Sequence, residues 1–268
     1  KFFTINETAD SKSDTKRAVM RKNNIFSVLF SAVMVTVANA ELVASFDSLT
    51  GISQTSGDWA FLNNSAVNPL FENGTAIFQN GADVLYLKKS DGSSFAANNQ
   101  TLTMTISGLQ PGGNSGNTLN ALFTSSNTWG LCLSSSDQSK MTGMWNNVQW
   151  SNANNRAISI PEGTFTLTVT MGTKNGQNGT LLYINGQEEA FISGLYGSSL
   201  NTNQYCIGNN SSGNQGTSFT LHNLYLHDTR LTAEEVADFY AEIVPEPATA
   251  TLGLLGLGIL CFNRRRRA

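Results

Sequence analysis

The sequence predicts an all-β domain of two stacked antiparallel sheets with one short C-terminal helix, and three observations carry that prediction. Leu102, Met104 and Ile106 alternate with threonines, as do Phe165, Leu167, Val169 and Met171, the period-two pattern of half-buried strands. Further short apolar runs at 42–47, 75–79, 83–88, 120–125, 129–134, 157–160, 180–185, 187–192, 203–208 and 217–227 are each bounded by Gly, Asn, Asp or Ser clusters. So many strands imply a sandwich. One helix stands out, because Val236, Phe239, Tyr240 and Ile243 form an apolar stripe behind a Thr232/Glu235 capping box.

In chain order, residues 1–19 are polar and aperiodic. From Met20 the chain reads Arg21-Lys22, an apolar stretch Ile25–Val37, then Ala38-Asn39-Ala40. These are the charged, apolar and small-residue parts of a secretory signal, so signal peptidase is an expected partner and the mature chain should begin near Glu41. Residues 41–244 then form one domain. Threonine suits the expected solvent face of its strands, being β-branched yet polar. Asn185-Gly186 fits a tight hairpin needing positive φ, and Asn175-Gly176 is expected in a longer connection closed at Gly179. In 217–227, Phe219 and Leu221 lie on one parity and Leu224 and Leu226 on the other, so a bulge near His222-Asn223 is expected. The Gly-rich run 108–118 and the run 209–216 are read as flexible surface loops. Pro245 ends the helix and the domain.

The tail 245–268 is tripartite. Pro245-Glu246-Pro247 precedes fifteen uncharged residues, Ala248–Phe262, and then Arg264, Arg265, Arg266 and Arg267. Fifteen helical residues span about 22 Å, short of a hydrocarbon core of about 30 Å. The arginines would hold the end of the segment in the cytoplasm while it is transiently inserted. This tail resembles the PEP-CTERM sorting signal, and the resemblance implies recognition and cleavage near Pro-Glu-Pro by an exosortase-type membrane protease. An uncleaved tail anchor is the alternative. Either way the expected location is the envelope, outer surface or exterior.

Residues 164–243 carry a second resemblance. A threonine-alternating strand is followed by Leu182-Tyr183-Ile184-Asn185-Gly186, then Tyr205-Cys206-Ile207-Gly208, then Phe219 to His227, then Arg230-Leu231-Thr232-Ala233-Glu234-Glu235. The order is similar to the C-terminal half of laminin-G-like domains of the concanavalin A-like jelly-roll superfamily. That resemblance implies a jelly-roll sandwich and, loosely, glycan or protein binding.

Composition limits the partners. Residues 41–244 hold six Lys or Arg against fifteen Asp or Glu, a net charge of −9. Such a surface repels phosphate backbones, which argues against nucleic acid. An exported domain permits a disulfide between Cys132 and Cys206, the alternative being two buried thiols on separate strands.

A non-enzyme is expected. Glycosidases need two carboxylates flanking one bond, and Glu188-Glu189 point to opposite faces of a strand. Glu234 and Glu235 serve the helix start, with Arg230 near enough to pair with one of them. His222 and His227 are five apart, on opposite faces of a regular strand unless a bulge restores the same face, and a lone strand histidine is more often structural than a metal ligand. Calcium remains a candidate ion through the loop acids Asp58, Asp83, Asp91 and Asp137, though no calcium-loop spacing occurs. For binding, Trp129, Trp145 and Trp150 with Asn146 and Asn147 offer stacking faces and amides suited to a neutral glycan, unless the tryptophans fill the core. The expected function is a non-catalytic binding or adhesion module. The alternatives are a glycan hydrolase with an unrecognised carboxylate pair, or a structural component of the envelope or matrix.

Overall fold

The computed structural model describes residues 40–47, 52–55, 59–63, 69–79, 81–112, 120–125, 129–145, 148–149, 157–194 and 201–244. The signal residue Ala38, the tail residues Pro245, Glu246, Pro247 and Arg264–Arg267, and Asp58, Asn146, Asn147 and Trp150 lie outside them.

The first sheet runs β16 (Gln187–Ser193), β15 (Gln177–Ile184), β14 (Thr164–Lys174), β8 (Thr101–Pro111), β19 (Thr217–His227), β1 (Leu42–Asp47) and β2 (Ile52–Thr55). Onto β19 is added β5 (Thr75–Phe78), which pairs with β4 (Leu70–Glu72). The second sheet runs β12 (Val148–Gln149), β11 (Lys140–Trp145), β10 (Trp129–Leu133), β9 (Asn120–Ser125), β18 (Tyr205–Ile207), β6 (Leu85–Lys89) and β3 (Trp59–Asn63), with β13 (Ile158–Ser159) on β11. A small pair, β7 (Phe95–Ala96) with β17 (Asn201–Thr202), stands apart, and α1 spans Ala233–Ile243. This is a two-sheet antiparallel jelly roll, with strands β2, β3, β4, β7, β11, β12 and β17 beyond those the sequence predicts.

The core lies between the sheets. Leu102, Met104, Ile106, Phe165, Leu167, Val169 and Met171 are all at most 2% exposed and share one cluster with Leu85, Leu87, Phe123, Leu131, Tyr205 and Ile207. Phe78 stacks on Phe219 with centroids 4.4 Å apart. The expected bulge is present: the β8–β19 register shifts between Leu221 and Asn223, and Phe219, Leu221, Leu224 and Leu226 are all buried.

Three expectations need correction. The threonines that alternate with the core residues of β8 and β14 do not form a solvent face: Thr101, Thr103, Thr166, Thr168 and Thr170 are buried and Thr105 is half-buried. They pair across the strands, Thr101 with Thr170 at 3.1 Å, Thr103 with Thr168 at 2.9 Å and Thr105 with Thr166 at 3.0 Å. Leu231 and Val236 pack with Tyr183 on the same sheet, and Phe239 meets Tyr225 and His227 edge-on. Paired hydroxyls let a polar face be buried without leaving donors unmet. Second, Asn175-Gly176 is itself a tight two-residue hairpin, with φ of 52° and 74° at the two positions, matching Asn185-Gly186 at 50° and 78°. Both residues in the left-handed region is what such a turn requires.

Third, neither Gly-rich run is simply a surface loop. Strand β8 continues to Pro111. In the 209–216 run, Asn209 and Asn210 are buried, and Asn209 Oδ1 accepts from the backbone N–H groups of Asn210 and Gln215, each at 2.9 Å. Side-chain amides here replace a ladder, satisfying backbone groups that a buried loop would otherwise leave open.

Candidate functional site

The tryptophan region predicted to bind divides on inspection. Trp129 is 1% exposed, its Nε1–H donates to Thr180 Oγ1 at 3.0 Å, and its ring meets Phe123 edge-on at 5.4 Å. It is a core residue with its one polar atom satisfied, so it offers no stacking face. In the backbone register, Trp145 lies directly opposite Trp129 across β10 and β11.

The cysteines also part company. Both thiols are free and buried. Strand β9 runs between β10, which carries Cys132, and β18, which carries Cys206. Two inter-strand spacings amount to about 9.5 Å, beyond the roughly 7 Å limit for bridging α-carbons. Burial pushes the Cys132 thiol up to about 12 and the Cys206 thiol up to about 11, so neither is a nucleophile at neutral pH.

The other sequence candidates are structural. His222 Nε2 bonds Ser107 Oγ at 2.8 Å, and burial holds its pKa down. His227 is buried against Phe239, and its Nδ1 has no hydrogen-bond partner. Lys174 pairs with Glu188. Arg230 reaches the short 3-10 turn Ala97–Asn99 rather than serving the helix start alone: its Nε–H donates to Asn98 O at 2.5 Å and Nη2 to Asn99 Oδ1 at 3.1 Å. The loop acids hold turns. Asp91 accepts from Ser93 N–H at 2.8 Å, Asp137 from Ser139 N–H and Oγ–H, and Asp83 from Gln79 N–H. These bonds hold the Asp91 and Asp137 carboxyls below the usual range, whereas partial burial pushes Asp83 upward. Among the described residues no group of three His, Cys, Asp or Glu converges as metal ligands would.

A different place combines aromatic and amide groups. A cleft of about 390 Å³ is lined by Trp59, Phe95, Asn99, Gln100 and Lys89, with Glu41 and Asp228 also on its wall. Trp59 comes from β3, Phe95 from β7, and the amides from the turn that Arg230 ties down. The Trp59 and Phe95 rings lie 4.7 Å apart, and Tyr205 continues the row 5.1 Å beyond Phe95. Tyr205 O–H donates to Gln100 Oε1 at 3.0 Å, which fixes that amide from within the core. Trp59 is 4% and Phe95 7% exposed, so only their edges reach the cleft. In sequence, Trp59 was one aromatic in a run without clear alternation, and Phe95 stood in a two-residue strand.

Within its strands, from β3 to β18, the second sheet carries no Asp or Glu. It can present amides, hydroxyls and ring edges.

The family described as the concanavalin A-like lectin/glucanases superfamily, laminin-G type, matches residues 81–237, more than half of the chain. The chain belongs to this concanavalin A-like superfamily. The PEP-CTERM protein-sorting motif matches residues 244–267, which marks this lectin-like domain as exported and sorted to the cell envelope or beyond. No curated protein matches the sequence. Among solved structures, the concanavalin A-like chain is similar to the botulinum neurotoxin serotype D ligand binding domain in complex with N-acetylneuraminic acid. That match has 10% identity and a TM-score of 0.51, over 75% of this chain and 51% of that one. It is similar also to the botulinum neurotoxin type G receptor binding domain, at 14% identity and a TM-score of 0.50, over 75% and 51%. Domain 4 of AbnA, a GH43 extracellular arabinanase from Geobacillus stearothermophilus, in complex with arabinotriose, matches at 14% identity and a TM-score of 0.49, over 75% and 98%. The chain spans about half the length of the toxin domains it matches.

Proposed function

We propose that this protein is a non-catalytic surface binding module whose ligand is a neutral glycan held in the Trp59–Phe95–Asn99–Gln100 cleft. The observation that carries the reading is the composition of that cleft, in which ring edges and amides meet, with Lys89, Glu41 and Asp228 at its wall. The ring edges give a sugar an apolar contact surface while amides and Lys89 meet hydroxyls. A net charge of −9 over residues 41–244 favours a neutral polymer over an anionic one. The serotype D toxin ligand binding domain, of which this chain matches about half (51%), was solved in complex with N-acetylneuraminic acid. The exosortase reading adds delivery, with the tail cut near Pro245 and the domain released or retained outside.

The test is a glycan array followed by titration of the full exported protein with any hit. Asn99→Ala and Lys89→Ala should each weaken binding about tenfold, the effect of losing a hydrogen bond of about 1.4 kcal/mol. Trp150→Ala reports on the predicted Trp-Asn segment separately, and unchanged binding there with loss at Asn99 assigns the ligand to the cleft. Absence of any hit would favour a structural envelope component. Oligosaccharide turnover abolished by Glu41→Gln or Asp228→Asn would establish a hydrolase instead.

A further inference from the structure

The first residue of the expected mature chain is already committed to a carboxylate. Glu41 N–H donates to Asp228 Oδ1 at 3.1 Å, and Asp228 N–H donates back to Glu41 O at 3.1 Å. Glu41 stands one residue outside β1, whose Leu42 pairs with His227 of β19. The Asp228 N–H to Glu41 O bond extends that ladder by one step, and the Asp228 carboxylate takes up the Glu41 N–H beyond it. Ala40 makes no ladder bond; its methyl packs beside Tyr183, Leu231 and Val236. The Ala38-Asn39-Ala40 signal pattern puts the scissile bond between these two residues.

We propose that signal cleavage after Ala40 creates an α-ammonium on Glu41 that ion-pairs with Asp228, so that maturation installs an electrostatic clasp closing β1 onto β19. In the hydrolysis, water adds across the Ala40–Glu41 peptide bond. The C–N bond breaks, hydroxyl goes to the Ala40 carbonyl, and hydrogen goes to the Glu41 nitrogen, which takes a further proton from solvent below its pKa. The nitrogen keeps its position 3.1 Å from Asp228 Oδ1 and exchanges a neutral hydrogen bond for a charge-assisted one. Loss of the Ala40 methyl from its cluster is the opposing effect.

The surroundings make the charge readable. On one side the nitrogen's neighbourhood includes Lys89, and on the other the wall that holds Ala40 carries His227, Glu235, Asp238 and Glu242, with Glu41's own carboxylate adjoining. Burial holds the pKa of His227 below its ordinary value, so it stays neutral above pH 7. The α-amine, with an ordinary pKa of about 7.7–8.0, titrates between pH 7 and pH 9.5. A carboxylate partner raises its folded pKa. The stabilisation is then fully present below the unfolded value and is lost as pH rises through the folded one.

The experiment uses the full chain, exported and processed in cells, with its N-terminus read by mass spectrometry. Melting temperatures of wild type and Asp228→Asn are then compared at pH 7 and pH 9.5. Expected are an N-terminus at Glu41 and a wild-type advantage of about 1–3 °C at pH 7 that falls by more than half at pH 9.5. An N-terminus elsewhere, or an advantage that is the same at both pH values, overturns the clasp. If Asp228→Asn does not fold, the pH dependence of α-amine acetylation in the wild type decides. An apparent pKa above the ordinary α-amino range supports the pair, and one within or below that range overturns it.

Discussion

At the scale of single residues, burial reassigns chemistry that residue type alone suggests. Trp129 and Trp59 each follow a short polar stretch in sequence, yet one donates its N–H to Thr180 inside the core and the other turns an edge to a cleft. Trp129→Ala should cost about 3–5 kcal/mol in urea-induced unfolding, the range for emptying a buried aromatic site, with additional loss from the unmet Thr180 contact. A cost under 1 kcal/mol would place Trp129 outside the core. Cys132 and Cys206 make the same point. A thiol reagent should leave both unreacted in the native protein and modify both in denaturant, and reduction should leave the mass of the intact protein unchanged. The sequence alone allowed a disulfide here because strand order, which inserts β9 between the two cysteines, is not written in spacing.

At the scale of elements, local rules were legible wherever one face is buried and one is not. The Asn185-Gly186 turn, the bulge at His222 and the Thr232/Glu235 box were all readable, because each rests on contacts within a few residues. Strand β11 was not. Met141 and Met144 lie on opposite faces and both are buried, so the alternation that marks a strand is erased. The threonine strands erred in the other direction, since alternation located them correctly but assigned their polar face to water. A double-mutant cycle tests the buried pairing. Thr103→Val alone strands the Thr168 hydroxyl and should cost about 1–3 kcal/mol, whereas Thr103→Val with Thr168→Val removes both partners and should recover most of it. Additive costs would mean the two hydroxyls are independently satisfied.

At the scale of the whole molecule, pH and location are the readable quantities. His222 and His227 both have pKa values lowered by burial, Asp228 and Glu235 partly opposing the shift at His227. The unfolded chain therefore binds more protons than the native one near the ordinary histidine pKa of about 6.5, and stability falls as pH drops through that value toward the lowered native ones. Chemical denaturation at pH 7.5 and pH 5 should show the loss, and His227→Gln should reduce it; an acid profile identical in that variant would remove His227 as its source. Deleting residues 245–268 should shift the protein between envelope and medium fractions, and unchanged fractionation would contradict sorting by the tail. The export address, the all-β class and the Asn185-Gly186 turn were determined by sequence alone, because each depends on neighbours in the chain or on a linear signal read by another protein. The location of the cleft, the free thiols and the dry threonine face were decided only by tertiary structure. Trp59, Phe95 and Asn99 meet through the packing of β3, β7 and a 3-10 turn held by Arg230 from 131 residues away, and no local pattern encodes which distant strands become neighbours.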